Sequence, residues 1–95
     1  MLILPIKAKW YDMIESGIKK EEYREIKPYY TTRYQTIGLL NENGLPTEKT
    51  TEVILRNGYS ATSRQMIVTV SLEIKQGNTA WGAKEGVEYY VLKIE

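Results

Sequence analysis

The chain reads as a small α+β domain, a mixed β-barrel of about five short strands with two short helices in its N-terminal half. Three observations predict this. Residues 65–75 have the cleanest alternation in the chain, with Val68, Val70, Leu72 and Ile74 on one side and Thr69, Ser71, Glu73 and Lys75 on the other. Two stretches before residue 40 carry apolar side chains at helical spacing, and each stops at a glycine. The other apolar runs are short and separated by turn residues, the pattern of a small barrel. Strand order and handedness do not follow from pattern alone.

Taken in order, residues 2–6 are apolar and read as a first strand. From Ile6, the positions Ile6, Trp10, Met13 and Ile14 have helical spacing, and Gly17 sits where a C-cap glycine belongs. The charges of this helix oppose its dipole. Lys7 and Lys9 lie near its start and Glu15 near its end, so each costs about 0.3–1 kcal/mol where exposed. Residues 20–26 have strand character and are broken by Lys27-Pro28. Tyr30, Tyr34 and Ile37 then repeat at i, i+4 and i+7 before Gly38, which predicts a second short helix. Residues 41–51, with Asn43-Gly44 and Pro46, read as a loop. Residues 52–57 read as a strand closed by Asn57-Gly58. After 65–75, Gln76-Gly77-Asn78 turns the chain, 79–86 is irregular, and 87–94 is a last strand with Tyr90, Leu92 and Ile94 on one side.

Composition bounds the function. Ninety-five residues make one domain, 1–95, with a thin core. The net charge of +1 provides no global field for nucleic acid, so such binding needs a local patch. Cysteine and histidine are both zero, which excludes disulfides, thiol nucleophiles, zinc clusters and Ser-His-Asp triads within these residues. Acid–base chemistry would fall to Lys, Glu, Asp or Tyr. No calcium-type loop is present, and neither a metal nor a cofactor is expected. Phenylalanine is zero and tyrosine eight, an inventory suited to half-exposed stacking as well as to sheet faces. With no long apolar run and no signal-peptide pattern, the expected location is cytoplasmic and off the membrane.

The densest chemistry lies in Gly17-Ile-Lys-Lys-Glu-Glu-Tyr-Arg24. Glu22 and Arg24 are two apart on a strand, so they point to one side about 7 Å apart. Lys19 is an odd step from Glu22 and joins them only if it lies in the turn after Gly17. The segment is then either a surface ion-pair set or a pocket. In a pocket, Arg24 offers a planar fork to phosphate or a base edge. Glu22 orients Arg24 or accepts from a base amino group. Lys19 meets phosphate, or acts as a base if burial and Arg24 lower its pKa.

The spacing G-x-K-x-x-E-x-R, filled by Gly17, Lys19, Glu22 and Arg24, resembles the signature of the ASCH domain family of the PUA-like superfamily of small β-barrels. The flanks are similar too: Leu4-Pro5-Ile6-Lys7, Trp10, Ile14 and Ser16 before it, and Glu25-Ile26-Lys27-Pro28-Tyr29 after it. Leu55-Arg56-Asn57-Gly58-Tyr59 and Tyr89-Tyr90-Val91-Leu92-Lys93-Ile94 resemble the short phage and bacterial members, so the likeness covers most of the chain. It implies a PUA-like barrel that binds RNA in a cleft bearing the signature, with Lys7 next to the pocket entrance.

Two function classes result. The first is a module for nucleic acid, RNA or a nucleotide above all, that uses Lys7, Lys19, Glu22, Arg24, Arg56 and Tyr59. Lys7 and Lys9 are either solvated lysines or a phosphate site at a helix start. Residues 56–60 are either a plain turn or a loop in which Tyr59 stacks a base and Arg56 holds a phosphate, with Arg64 extending the patch. Tyr29, Tyr30 and Trp81 are core or cover residues, or one of them is a stacking platform. The second class is a small hydrolase acting on modified cytidine or RNA, as some relatives of the family do, with Lys19 as base and Glu22 as proton shuttle. The amidohydrolase type carries threonine where this chain has Glu22 and uses a later glutamate on an inserted helix. Glu73 and Glu85 are the nearest substitutes here. A protein partner is not specified by any motif.

Overall fold

Alternation along the C-terminal half builds the sheet, and the two glycine-stopped helices fold onto one side of it. The computed structural model describes residues 1–95. The elements run β1 (Ile3–Ile6), α1 (Ala8–Glu15), β2 (Glu21–Arg24), α2 (Pro28–Thr36), β3 (Thr51–Asn57), β4 (Gln65–Gln76) and β5 (Glu88–Ile94). A single 3-10 turn at Thr79–Trp81 precedes β5. The radius of gyration is 12.6 Å, against about 12 Å for a compact chain of this length, so all elements share one body. No helix is long and apolar enough to cross a membrane.

The sheet order is β1-β3-β4-β5-β2, with β1 parallel to β3 and every other neighbour antiparallel. The register places Leu4 opposite Leu55, Val53 opposite Val68, and Leu72 opposite Leu92. Their shared face carries the main core, completed by Tyr11 and Ile14 of α1, Tyr34 of α2, and Leu39 and Leu40. The other face is covered only in part. Tyr23, Tyr89, Val91 and Ala83 form a second small cluster where the connection before β5 folds back, and Trp81 packs on it. The stretch that reads as irregular in sequence is therefore a cover.

The expected barrel does not close. β1 and β2 end the sheet order, and no backbone ladder joins them. Both are four residues long. Pro5 also removes a donor from β1 on its free side, since proline has no N–H. A side chain spans the gap instead: Nη2 of Arg24 on β2 donates to the Pro5 carbonyl on β1 at 2.9 Å. The sheet thus curls until its two edges face each other across one guanidinium.

Helix α1 starts at Lys7 with no side-chain cap and no acid in its first turn. Its dipole mismatch is eased from outside. Arg64 reaches back to Asp12 at 3.0 Å and Glu15 at 3.2 Å, with its guanidinium over the Tyr11 ring. The helix ends in a Schellman motif. Gly17 has φ of 84°, its N–H bonds to Ile14 O, and Ile18 N–H bonds to Met13 O. Helix α2 ends the same way, with Gly38 N–H on Gln35 O and Leu39 N–H on Tyr34 O.

Two glycines separate two physical causes. An added β-carbon at Gly17 meets nothing within 4 Å, so only the left-handed backbone opposes it. At Gly77 it would sit 2.6 Å from the Tyr23 ring and 2.7 Å from Ala83. Gly17→Ala is expected to cost about 1–2 kcal/mol. Gly77→Ala is expected to cost about 3 kcal/mol, because the cover over Tyr23 must lift. Urea unfolding of both variants checks the order, and equal losses would refute it.

Candidate functional site

The Schellman turn at Gly17 positions the site. It leaves Ile18 to Lys20 outside both helix and strand, and β2 begins only at Glu21. Strand alternation has not started at Lys19, so its side chain turns inward beside Glu22. Both residues are buried, with 2% and 4% of their surface exposed. Lys19 Nζ lies 2.9 Å from Glu22 Oε1, and Arg24 Nη1 lies 2.8 Å from Glu22 Oε2. One carboxylate is therefore shared, oxygen by oxygen, between an ammonium and a guanidinium.

Lys19 is saturated. Its ammonium also donates to Trp81 O at 2.6 Å and sits 4.5 Å from the Trp10 ring centre and 5.2 Å from that of Tyr23. Burial pushes its pKa down, against the pull of Glu22. Arg24 remains charged: burial acts to lower its pKa, and the Glu22 carboxylate outweighs it. Arg24 Nη1 donates also to Tyr23 O at 2.8 Å, and Nη2 to Pro5 O. Two of its five N–H donors, Nε–H and one on Nη2, make no bond within the protein. Two cations and one anion leave the cluster one positive charge in surplus.

That surplus opens onto a cleft along the seam between β1 and β2. The cleft has two lobes. One, of about 560 Å³, lies toward α2 and is lined by Arg24, Lys27, Arg33 and Tyr29 over an apolar floor from β1. The other, of about 510 Å³, lies toward the β3 end and is lined by Lys7, Asn57, Gly58 and Arg24. Pro5, Tyr30 and Tyr59 line both. No aspartate or glutamate lines either lobe. A third hollow shares no residue with them and is lined by Glu48, Glu73 and Glu95 without any lysine or arginine.

The residues singled out from sequence are thus divided. Lys19, Glu22 and Arg24 come together, but only Arg24 lines the cleft. Lys7 and Tyr59 line it too, and Tyr59 is 89% exposed. Arg56 lines neither lobe and donates to Gln65 at 3.1 Å. Arg64 faces α1. Trp81 lies on the second cluster, away from the lobes, whereas Tyr29 and Tyr30 are cleft walls. Sequence reasoning missed Lys27 and Arg33. The available signal was Pro28, which starts α2 and places 27, 30 and 33 on one face, three apart. Arg33 lies 3.4 Å from the Tyr29 ring centre, and Lys27 is paired only weakly, with exposed Glu25 at 3.6 Å.

A comparison with protein-family models, curated proteins and solved structures finds no match to this chain.

Beneath the cleft lies Tyr34, fully buried, with a hydroxyl that has no protein partner. Burial pushes its phenol above the ordinary range, and burial does the same for Tyr23.

Substitution and pH both probe this charge arrangement. Glu22→Gln strands the buried Lys19 ammonium and removes the carboxylate from the partly buried Arg24, and the expected loss is about 3–5 kcal/mol. Lys19→Met leaves Glu22 paired with Arg24 and should cost less. Urea midpoints rank them, and the reverse order would remove Glu22 from its central place. For pH, the lowered Lys19 value means that the unfolded chain binds more protons up to about pH 10.4, so stability rises with pH in that window. The raised Tyr34 and Tyr23 values mean that the unfolded chain binds fewer protons above about pH 10, so stability falls there. Tyr34→Phe should flatten the alkaline fall and leave neutral stability unchanged or higher, since it also removes an unpartnered hydroxyl. Urea midpoints from pH 8 to 11 measure both.

Proposed function

We propose that this chain is a nucleic-acid-binding module, for RNA or a nucleotide, that holds its ligand in the cleft along the β1–β2 seam. We propose also that it is a cytoplasmic member of the PUA-like ASCH family, as the Gly17–Arg24 signature suggests. The observation that carries the reading is the lining itself. Four cations (Lys7, Arg24, Lys27 and Arg33) and three tyrosines (Tyr29, Tyr30 and Tyr59) line the two lobes without a carboxylate. Phosphates meet ammonium and guanidinium groups, and bases stack on phenol rings for about 1–3 kcal/mol each.

Binding is favoured over hydrolysis by where the motif groups lie. Lys19 and Glu22, the groups that would do acid–base work, line neither lobe. Lys19 is occupied by Glu22 and the Trp81 carbonyl. Their role in this reading is to hold Arg24 charged and at the right depth.

With about three phosphates held on a single strand, the log–log dependence of affinity on salt should have a slope of roughly −2. The double variant Lys27→Ala/Arg33→Ala should make that slope shallower by about 0.7 for each phosphate that is no longer neutralised. Fluorescence anisotropy of a labelled eight-nucleotide RNA across a salt series checks this. Absence of binding, or binding indifferent to salt, overturns the proposal.

A further inference from the structure

The two lobes adjoin and differ in chemistry. Pro5, Arg24, Tyr30 and Tyr59 line both, so these residues stand where the lobes meet. Each lobe, at about 560 and 510 Å³, has room for one nucleotide-sized group. The lobe toward α2 is rich in charge. Lys27 and Arg33 join Arg24 there, and the apolar floor of Leu2, Ile3 and Leu4 offers no side-chain hydrogen bond. The lobe toward β3 adds one further cation, Lys7, and one neutral amide, Asn57.

Asn57 is the unusual member. It ends β3, and its backbone N–H is used on Arg64 O at 2.8 Å. Its side-chain amide makes no hydrogen bond within the protein, although it lines the lobe. An amide carries both donors and an acceptor, and pairs side by side with a base edge that offers the complement. Tyr59, two residues on and highly exposed, supplies a ring face at the same place. A base stacked on Tyr59 would share its lobe with Asn57, and Arg24, which lines both lobes, would be available to the phosphate that joins it to a nucleotide in the Lys27 and Arg33 lobe.

We propose, resting on the cleft being the nucleic-acid site, that its ligand is a step of two consecutive nucleotides in a single strand, and that Asn57 selects the base in one seat. Duplex is excluded by the stacking, because paired bases hide their faces from Tyr59. The two seats divide the work: Lys27 and Arg33 set affinity and its salt dependence, and Asn57 sets sequence preference.

The test is competition against the labelled eight-nucleotide RNA. Mononucleotides, the four homodinucleotides and the matching trinucleotides are titrated against the unaltered protein, Asn57→Ala, Asn57→Gln and Lys27→Ala/Arg33→Ala. Dinucleotides are expected to compete about tenfold better than mononucleotides, the scale of one added stacked base. A third nucleotide should add less than about threefold. The four dinucleotides should differ by about tenfold across the set, as one good amide–base pair provides. Asn57→Ala should bring them within about twofold of one another with the salt slope unchanged, and Asn57→Gln should reorder them. The double cation variant should do the converse, lowering the slope and keeping the order. Equal competition by mono- and dinucleotides, or an order of preference that survives Asn57→Ala, overturns the two-seat proposal while the cleft still binds RNA. Failure of the eight-nucleotide RNA to bind at all overturns the binding reading itself. Unchanged urea midpoints of the Asn57 variants show that folding is not the cause, since only the backbone of Asn57 is used by the fold.

Discussion

The shared carboxylate of Glu22 is the contact on which the rest of this molecule depends. It lies between a buried ammonium and a partly buried guanidinium and uses a different oxygen for each. Through Lys19 it fastens the turn after α1 to the Trp81 carbonyl in the cover before β5. Through Arg24 it fastens β2 to Pro5 on the opposite sheet edge. Elements far apart in sequence are tied through one group. A buried ion pair is weak evidence of net stability, because desolvation offsets much of the attraction. Its value here is geometric. With Glu22 in place, Arg24 has one position in which its hydrogen bonds are made, and that position is across the seam.

The same arrangement explains why a nearly neutral chain has a strongly cationic cleft. Desolvation and like-charge repulsion would ordinarily oppose a second, partly buried cation beside Lys19. Sharing one carboxylate permits both, and the charge left over is carried by the guanidinium, which stays protonated under all ordinary conditions. Lys7, Lys27 and Arg33 then add their charge at the rim, where solvent lowers the cost. Acidic residues are placed elsewhere, on the helix flank held by Arg64 and in the hollow lined by Glu48, Glu73 and Glu95. An anion that approaches this surface meets one attractive mouth rather than an averaged field.

Most of the element order was legible in the residues, and the reasons differ by element. Strand β4 was clear because Val70 and Leu72 at its centre are buried while Thr69, Ser71 and Glu73 beside them are not, so apolar and polar residues alternate from Val68 to Lys75. The two helix ends were clear because a left-handed residue requires glycine, which leaves a visible mark. The convergence of Lys19 with Glu22 followed from the same glycine, since the turn it makes delays the start of alternation. What was not legible depends on pairing between distant strands. Nothing in Leu2 to Ile6 announces that β1 pairs in parallel with β3 and leaves its other side open. Lys27 and Arg33 escaped notice because an exposed helix face carries charges freely, and only the position of α2 against the seam gives those two a shared direction. That Arg56 lines neither lobe has a related cause. Its cross-strand neighbour is Gln65, and that local pair holds it on the sheet away from the cleft.

An unclosed sheet is usually a hazard, because an open edge invites pairing with other chains. Here the two open edges face each other, each only four residues long, and one is interrupted by a proline. Neither offers a run of free backbone donors long enough to template a strand. What they leave between them is a gap too wide for a ladder, crossed by the Arg24 side chain and flanked by tyrosines. Closing the barrel with backbone hydrogen bonds would have used the Pro5 carbonyl and left Arg24 nothing to span. The failure of the sheet to close and the presence of a cationic, aromatic cleft are therefore one structural fact: the side chain that substitutes for the missing ladder is also the one that both lobes share.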